Sequence, residues 1–119
     1  MFAVVALMVY CQQPLVPVSE GLASYYTVES SGAMTASSEP LIDGAFTCAM
    51  RTGEFGTYYR ITADNGRSVV CRLNDRGPFI RGRIVDLSEA AMRKIDPSLT
   101  RGVVRVRVEP VREHSAGTG

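Results

Sequence analysis

Apolar residues in this chain recur at every second position in short runs, and turn-forming residues separate the runs. The clearest run is 102–108, where valine alternates with arginine as in Val104-Arg105-Val106. Strict alternation predicts a strand with one buried face and one solvated face. Shorter or less regular runs predict five more strands, at 21–28, 46–50, 57–62, 67–73 and 83–86.

Two local signals join these strands and add a helix. Asn65-Gly66 suits the tight type I′ turn of a hairpin, so the two strands that flank it should pair. One short α-helix is expected at about 88–94, with Ser88 as its N-cap and Pro97 just beyond its end. About six short strands and one helix predict an all-β fold, either a closed barrel or a sandwich.

The folded domain is expected at 21–111, between two segments of different composition. Residues 1–20 are an apolar, signal-like run followed by a linker with two prolines; the run is too short to span a bilayer. Cys11 lies where a lipoprotein signal places its lipidated cysteine, although the residues before it match poorly. We expect an exported protein with membrane attachment through this segment; the alternatives are an apolar strand or a start inside a longer signal. Residues 112–119 are a polar tail.

Charge and residue usage exclude several classes of function. The net charge of +1 gives no basis for broad electrostatic binding of nucleic acid. The single histidine, His114, lies in the polar tail, which argues against a Ser-His-Asp triad or a histidine-based metal site. We therefore expect no cofactor, no metal and no nucleic-acid partner.

The three cysteines, Cys11, Cys48 and Cys71, have no CxxC spacing, which argues against a zinc site. Cys48 and Cys71 both lie in predicted strands. In an exported protein they could form a disulfide that closes a loop of 23 residues (71 minus 48), worth roughly 3 kcal/mol. The alternative is two buried thiols that behave as small apolar residues.

Chemically capable side chains concentrate in two stretches. In 69–88 an apolar strand runs into a polar turn at Asp75, which has arginines on both sides, and a second strand ends at Asp86. The other stretch, 29–45, is a long loop rich in Ser, Gly and Ala that carries Glu39 and Asp43. Long loops without regular structure in small domains are often functional. The two stretches together are the candidate site.

Five ordered motifs resemble a known family: Gly-Leu-Ala-Ser-Tyr-Tyr at 21–26, Thr-Ala-Ser-Ser-Glu at 35–39, Asn-Gly-Arg-Ser-Val-Val at 65–70, Asn-Asp-Arg-Gly-Pro-Phe at 74–79 and Arg-Ile-Val-Asp-Leu-Ser at 83–88. They are similar to those of the rare lipoprotein A (RlpA) family, which is related to expansins and barwins. The resemblance implies a six-stranded double-psi β-barrel that acts on peptidoglycan in the bacterial envelope. Some members are lytic transglycosylases associated with the septum.

The resemblance implies three catalytic carboxyl groups, those of Glu39, Asp75 and Asp86, each at a matching motif position. Two departures from the family pattern concern the same region. The family usually has an aspartate where this chain has Ile42, with Asp43 one position later, and a histidine where it has Met50.

The proton transfers that such an enzyme carries out suggest a different role for each of these three carboxyl groups. One carboxyl group can protonate the leaving oxygen and then, as a carboxylate, accept a proton. Asp86 lies between Val85 and Leu87, and partial desolvation there would raise its pKa and suit it to the acid role. Neighbouring arginines suit Asp75 to an orienting or charge-stabilising role, and Glu39 could close over the cleft from its loop. The alternatives are a turn cap at Asp75, a helix cap at Asp86 and a solvated loop charge at Glu39.

Substrate contacts are expected from polar and aromatic residues in or near these motifs, namely Arg72, Asn74, Arg76, Tyr25 and Asp43. The expected partner is a peptidoglycan glycan strand bound by a monomer in the periplasm or envelope. Two other functions remain open. One is a non-catalytic, expansin-like wall-binding module, and the other is a small secreted scaffold or inhibitor on a barwin-like barrel.

Overall fold

The computed structural model describes residues 18–111, except for the side chain of Ser31. The expectations for the signal-like segment, for Cys11 and for the polar tail lie outside this range. The elements are β1 Ser19–Tyr26, α1 Val28–Ser31, β2 Thr47–Ala49, β3 Tyr58–Ala63, β4 Ser68–Asp75, β5 Arg83–Ser88, α2 Glu89–Ile95 and β6 Val104–Val111. Neither of these two helices is long and apolar enough to cross a membrane.

The six strands form a closed barrel in the order β1-β5-β2-β4-β3-β6. The β1–β5 and β2–β4 pairs are parallel, and the other four pairs are antiparallel. The β3–β4 hairpin lies where Asn65-Gly66 predicted it, but its turn is not of type I′: Gly66 has a positive φ of 87° and Asn65 does not, and the Gly66 amide donates to the Ala63 carbonyl at 3.0 Å. Closure removes the exposed strand edges that a small open sheet would present. Of the two folds that strand count allowed, the barrel is the observed one.

Alternation along each strand places the core inside the barrel. In β6 the valines at 104, 106 and 108 are buried, while Arg105 and Arg107 are exposed, as their pattern predicts. Buried residues of all six strands and of α2 share one apolar cluster. Burying each aliphatic side chain contributes about 1.5–3 kcal/mol. This cluster therefore stabilises the six strands whose outward side chains form the outer face of the barrel.

Both helices are capped by hydroxyl side chains, but only α2 was predicted. Ser88 accepts a hydrogen bond from the Ala91 amide at 3.3 Å, so Ser88 and not Asp86 is the N-cap of α2. The prediction of one helix was wrong, because Val28–Ser31 forms a second one. Its cap, Thr27, accepts from the Ser30 amide at 3.1 Å. A single turn has no hydrophobic periodicity, so the pattern of apolar residues could not reveal it.

The two cysteines of the described region are free thiols, and both are fully buried. In the parallel β2–β4 pair, Leu73 and not Cys71 lies opposite Cys48, so the cysteines are diagonal neighbours. Burial raises the pKa of the Cys48 thiol well above its usual value. Of the two expectations for these cysteines, the structure has the pair of buried thiols.

Candidate functional site

A row of short side chains, all polar except Ala49, crosses the outer face of four adjacent strands. Ser24 pairs with Asp86, Asp86 with Ala49, and Ala49 with Asp75. Directly paired residues in neighbouring strands point to the same face of a sheet. The two aspartates are therefore separated by one strand, or about 10 Å between Cα atoms at ~4.8 Å per strand. We call Ser24, Asp86, Ala49 and Asp75 the carboxylate row.

A β-bulge brings Asp75 onto this face. Cys48 pairs with Leu73, but the next residue of β2, Ala49, pairs with Asp75, so Asn74 is the extra residue. Regular alternation after the buried Leu73 would have turned Asp75 inward, toward the apolar core. The bulge reverses that direction and leaves Asn74 and Asp75 on the same side of the barrel wall.

Asp86 is a half-buried carboxyl group with one polar contact. The Ser24 hydroxyl donates a hydrogen bond to its Oδ1. Burial raises the pKa of Asp86 above the usual 3.8; the Ser24 hydrogen bond and the Arg83 charge partly oppose this, and the Asp75 charge adds to it. The desolvation that the apolar neighbours of Asp86 suggested is therefore present. Ser24 was not singled out from the sequence, because only the β1–β5 pairing brings it to Asp86.

Asp75 is held by backbone amides and not by arginine. Its Oδ1 accepts from the amides of Ala36 and Arg76, both at 2.8 Å, and its Oδ2 accepts from none of the described residues. The Arg76 guanidinium instead donates to the carbonyl of Gly53 at 2.7 Å and stacks on Phe55, 4.1 Å from the ring centroid. The flanking arginine side chains thus have other hydrogen-bond partners, and the orienting or stabilising role of Asp75 stays a prediction.

Glu39 forms the ion pair of this site. Arg72 donates to both of its carboxylate oxygens at 3.0 Å, and Asn74 Nδ2 donates to Oε1 at 3.2 Å. These hydrogen bonds, Arg72 first, lower the pKa of Glu39. Glu39 therefore stays ionised and is a poor proton donor. With 41% and 32% of the Glu39 and Arg72 side chains exposed, the pair contributes at most about 1 kcal/mol to folding.

The loop 32–46 covers one edge of the carboxylate row. It is tied to β4 through the Ser37 amide, which donates to the Asn74 carbonyl at 3.2 Å. Asp43, an expected substrate contact, instead accepts from the Val28 amide at 2.9 Å, and its own carbonyl accepts from the Ala90 amide at 3.0 Å. Asp43 therefore anchors the loop to both helices.

The two adjacent tyrosines of β1 face opposite ways. Tyr25 lies opposite Leu87 and packs against the barrel core, so its expected sugar contact is not supported by its position. Tyr26 lies on the outer face beside the carboxylate row, where it packs with Leu41 and Ala49 and is only 6% exposed. Burial raises the pKa of Tyr26. Tyr26 follows Ser24 by two residues in β1, so both side chains lie on the same face of the strand. This spacing is the sequence signal from which the position of Tyr26 beside the row could have been predicted.

A cleft of about 220 Å³ opens beside the carboxylate row; it is lined by Glu39, Pro40, Ile42, Ala45, Thr47, Arg72 and Asn74. Neither aspartate lines this cleft; Thr47 precedes Ala49 by two residues in β2 and Asn74 precedes Asp75 by one in β4, so the cleft lies next to the carboxylate row. Met50, which stands at the position of the family histidine, is buried in the core cluster and faces away from the cleft. No group of three or more metal-ligating side chains occurs within residues 18–111.

Replacing Glu39 with glutamine should lower any turnover at this site by about 10-fold, because it removes the charge that fixes Arg72 beside the cleft. Initial rates on glycan strands measure the effect. Glu89→Gln is the matched control, since Glu89 forms a similar ion pair with Arg93 on α2. Equal losses in the two variants would contradict a specific role for Glu39.

Solved structures with this fold differ widely in function. The Streptomyces papain inhibitor SPI aligns with a TM-score of 0.66 and 25% identity, over 83% of this chain and 98% of that one. A variant expansin of Clavibacter michiganensis, in complex with cellohexaose, aligns with a TM-score of 0.64 and 19% identity, over 82% and 52% of the two chains. The expansin match bears on the fold alone, which is the double-psi β-barrel that the motifs implied.

Sequence comparison is more specific. A probable endolytic peptidoglycan transglycosylase RlpA of Treponema pallidum is 46% identical over 92 residues, which are 76% of this chain and 29% of that protein. This chain thus spans less than a third of the length of that relative. The family model described as lytic transglycolase matches residues 18–108. The resemblance to RlpA proteins is confirmed, and the chain belongs to the lytic transglycolase family.

Proposed function

We propose that this chain is a lytic transglycosylase that cleaves the glycan strands of peptidoglycan between N-acetylmuramic acid and N-acetylglucosamine. The observation that carries the proposal is Asp86, a desolvated carboxyl group that lies in one row with Asp75 on the outer face of the barrel. The RlpA relatives, named as endolytic peptidoglycan transglycosylases, support the same reaction.

The Asp86 carboxyl group can serve both proton transfers. Its raised pKa keeps it protonated to a higher pH, so it can donate a proton to the glycosidic oxygen as the C1–O bond breaks. The Asp86 carboxylate then accepts the proton of the muramyl C6 hydroxyl, whose oxygen bonds to C1. The products are a strand that ends in a 1,6-anhydro ring and a strand with a free hydroxyl, and no water is consumed.

Asp75 has the complementary role of stabilising positive charge. Its Oδ1 is fixed by two amides, and its Oδ2 is left without a partner among the described residues. A fixed carboxylate one strand away from the acid, about 10 Å between Cα atoms, can stabilise the oxocarbenium-like charge that develops at C1.

The place of action that fits this reaction is the cell wall, outside the cytoplasm. The resemblance to the RlpA family implies the septum and the periplasm, and both are part of the proposal. The substrate partner is the glycan strand, and the monomer is the proposed working form.

An expansin-like, non-catalytic binding module is the second candidate. It is favoured by Met50, which is buried where the family usually has a histidine. Such a module would bind the wall and release nothing.

Incubation with purified sacculi, intact or stripped of stem peptides by an amidase, separates the candidates. Mass spectrometry of the soluble fraction should find 1,6-anhydro products, which are lighter by one water than hydrolysis products. Heat-inactivated protein is the control. Products with hydrolysed ends would contradict the lyase reaction, and sedimentation with sacculi without products would support the binding module.

A further inference from the structure

A second apolar cluster lies outside the barrel, on the carboxylate row. It consists of the buried side chains of Tyr26, Leu41 and Ala49, with Val28 packed against them. Ala49 is the residue of the row that stands between the two aspartates, directly opposite Asp86. Apolar side chains that pack on Ala49 therefore occupy the space beside the acid, where water would otherwise solvate it. We call the side chains of Tyr26 and Leu41 the apolar cover.

The Tyr26 ring lies across β5 on this face. Tyr26 belongs to β1, and β5 separates β1 from β2. The Tyr26 hydroxyl nevertheless lies beside the Thr47 hydroxyl of β2, although neither oxygen has a partner with full hydrogen-bond geometry among residues 18–111. The ring must therefore span the outer side of β5, whose outward residues there are Asp86 and Ser88. Burial and, to a smaller extent, the charges of both aspartates raise the pKa of Tyr26, so the phenol stays neutral.

Leu41 completes the apolar cover from the loop 32–46, and backbone contacts hold it there. Its amide donates to the Ala33 carbonyl at 2.7 Å, beside an isolated β-bridge between Met34 and Pro40. The Leu41 side chain is almost fully buried, with 6% of the residue exposed. A loop that is otherwise rich in small and polar residues thus places one large apolar side chain on the row.

Hydrogen bonds offset this desolvation only in part. Among the described residues, Ser24 is the one that donates a hydrogen bond to the Asp86 carboxylate. The hydroxyl of Ser88, the next outward residue of β5, donates instead to the Ala45 carbonyl at 2.5 Å. A carboxylate that accepts few hydrogen bonds is poorly compensated for the water it has lost, which favours its protonated form.

Burial also outweighs the charged groups around Asp86. Burial is the largest effect on the pKa of Asp86; the charge of Arg83 in β5 lowers this pKa, and the charge of Asp75 in β4 raises it. The titratable group that β1 presents beside the acid is the neutral phenol of Tyr26, and β2 presents no charged side chain on this face. On the loop, Glu39 is held in its own ion pair. Shielding from water, and not one neighbouring charge, therefore favours the protonated acid.

We propose that Tyr26 and Leu41 are positioning residues that keep the Asp86 carboxyl group protonated by covering it from solvent. Ionisation of a carboxyl group depends on solvation of the charge, so a group shielded from water keeps its proton to a higher pH. The loop 32–46 thus acts on the acid through one apolar side chain. The use of that acid in glycan cleavage rests on the proposed function, whereas the effect of the apolar cover on its protonation does not.

Titration of Asp86 itself tests the apolar cover. In protein labelled with ¹³C at the aspartate carboxyl groups, NMR chemical shifts over a pH series give the titration midpoint, and the signal missing from the Asp86→Asn protein identifies the residue. Leu41→Ala lets water reach the row and should lower the midpoint toward the usual 3.8. Leu41→Val should lower it less and disturbs the fold less. Leu41→Met, which conserves volume, and Tyr26→Phe, which keeps the ring, should retain the wild-type midpoint.

Leu99→Ala is the control for general loosening, because Leu99 packs against the core inside the barrel. An unchanged midpoint in folded Leu41→Ala or Leu41→Val protein, or an equal decrease in Leu99→Ala, would overturn the proposal; if Leu41→Ala does not fold, Leu41→Val decides. In cleavage assays, kcat/KM of Leu41→Ala should fall about 10-fold above the wild-type midpoint and change little below it. A lowered midpoint in a protein that cleaves no glycan would overturn only the proposed lyase reaction.

Discussion

Replacement of Asp86 by asparagine should lower the rate of glycan cleavage by about 10²–10⁴-fold, which is the usual contribution of a positioned general acid–base group. Asparagine can still accept the Ser24 hydrogen bond, but it has no proton to give. Because burial raises the pKa of Asp86, the wild-type kcat/KM should fall as pH rises through that raised pKa. The variant should lose this pH dependence, and product quantification over a pH series measures both effects.

The same replacement should raise stability at neutral pH. A raised pKa means that the folded state holds a proton that the unfolded chain releases from about the usual 3.8. The stabilisation is therefore full below 3.8 and is lost as pH rises through the folded-state pKa, above which the buried charge destabilises the fold. Asparagine avoids that charge, so urea unfolding at neutral pH should show a higher free energy of unfolding than wild type.

Asp64→Asn is the control, because the pKa of Asp64 is shifted in the opposite direction from that of Asp86. Asp64 is exposed and paired with Arg101, whose hydrogen bond lowers the pKa of the Asp64 carboxyl group. Its contribution is present above the usual pKa and is lost as pH falls through the lowered one, so Asp64→Asn should not stabilise the fold at neutral pH. An Asp86→Asn protein that is active, or whose activity follows the wild-type pH profile, would falsify the assignment of Asp86 as the acid.

Replacement of Asp75 by asparagine should lower the rate by about 10²–10³-fold, the effect of removing one preorganised electrostatic contact to a transition state. Asparagine can keep an oxygen where Oδ1 accepts from the Ala36 and Arg76 amides, so the loop and turn should stay in place. Asp75→Ala should lose both the charge and these hydrogen bonds, which adds about 1.5–3 kcal/mol of destabilisation. Cleavage rates and melting temperatures of the two variants distinguish the effect of losing the charge from the effect of losing the hydrogen bonds that hold the loop and turn.

Asp43→Asn provides the matched control for Asp75. Asp43 also accepts a backbone hydrogen bond, from the Val28 amide, but it lies at the far end of the loop 32–46. We expect a change in melting temperature without a specific loss of rate. Similar rate losses at both positions would show that Asp75 acts by holding the loop and would count against its electrostatic role.

Local patterns predicted the strands but could not predict which strands are neighbours. Alternation assigned the buried valines of β6, and Asn65-Gly66 located the hairpin between β3 and β4. The strand order β1-β5-β2-β4-β3-β6 depends on pairing between strands that are distant in the sequence. Alternation shows which face of a strand is buried but not which strand lies next to it. That is why Ser24 was missed, although its motif was recognised.

The partners of the two arginines could not be predicted for a related reason. Adjacency in the chain suggested Arg72 and Arg76 only as positive charges near Asp75, whereas the loop 32–46 brings Glu39 to Arg72, and Arg76 donates to the Gly53 carbonyl.

The desolvation expected for Asp86 is present, but not for the reason that its chain neighbours suggested, since Val85 and Leu87 face the core and Asp86 faces outward. The alternation of each strand was thus predictable from the sequence, whereas the burial of the outer face depends on which strands and loops pack there.

The extra residue at Asn74 has a consequence for how this segment can change over evolution. Because the bulge places Asn74 and Asp75 on the same side of the barrel wall, deletion of one residue between Cys71 and Asp75 would restore regular alternation, so that Asn74 is either lost or turned into the apolar interior, away from Glu39. The segment can therefore accept substitutions but not changes of length. Insertions in the loop 32–46 leave strand direction unaffected, so substrate preference can diversify there while the acidic pair stays in place.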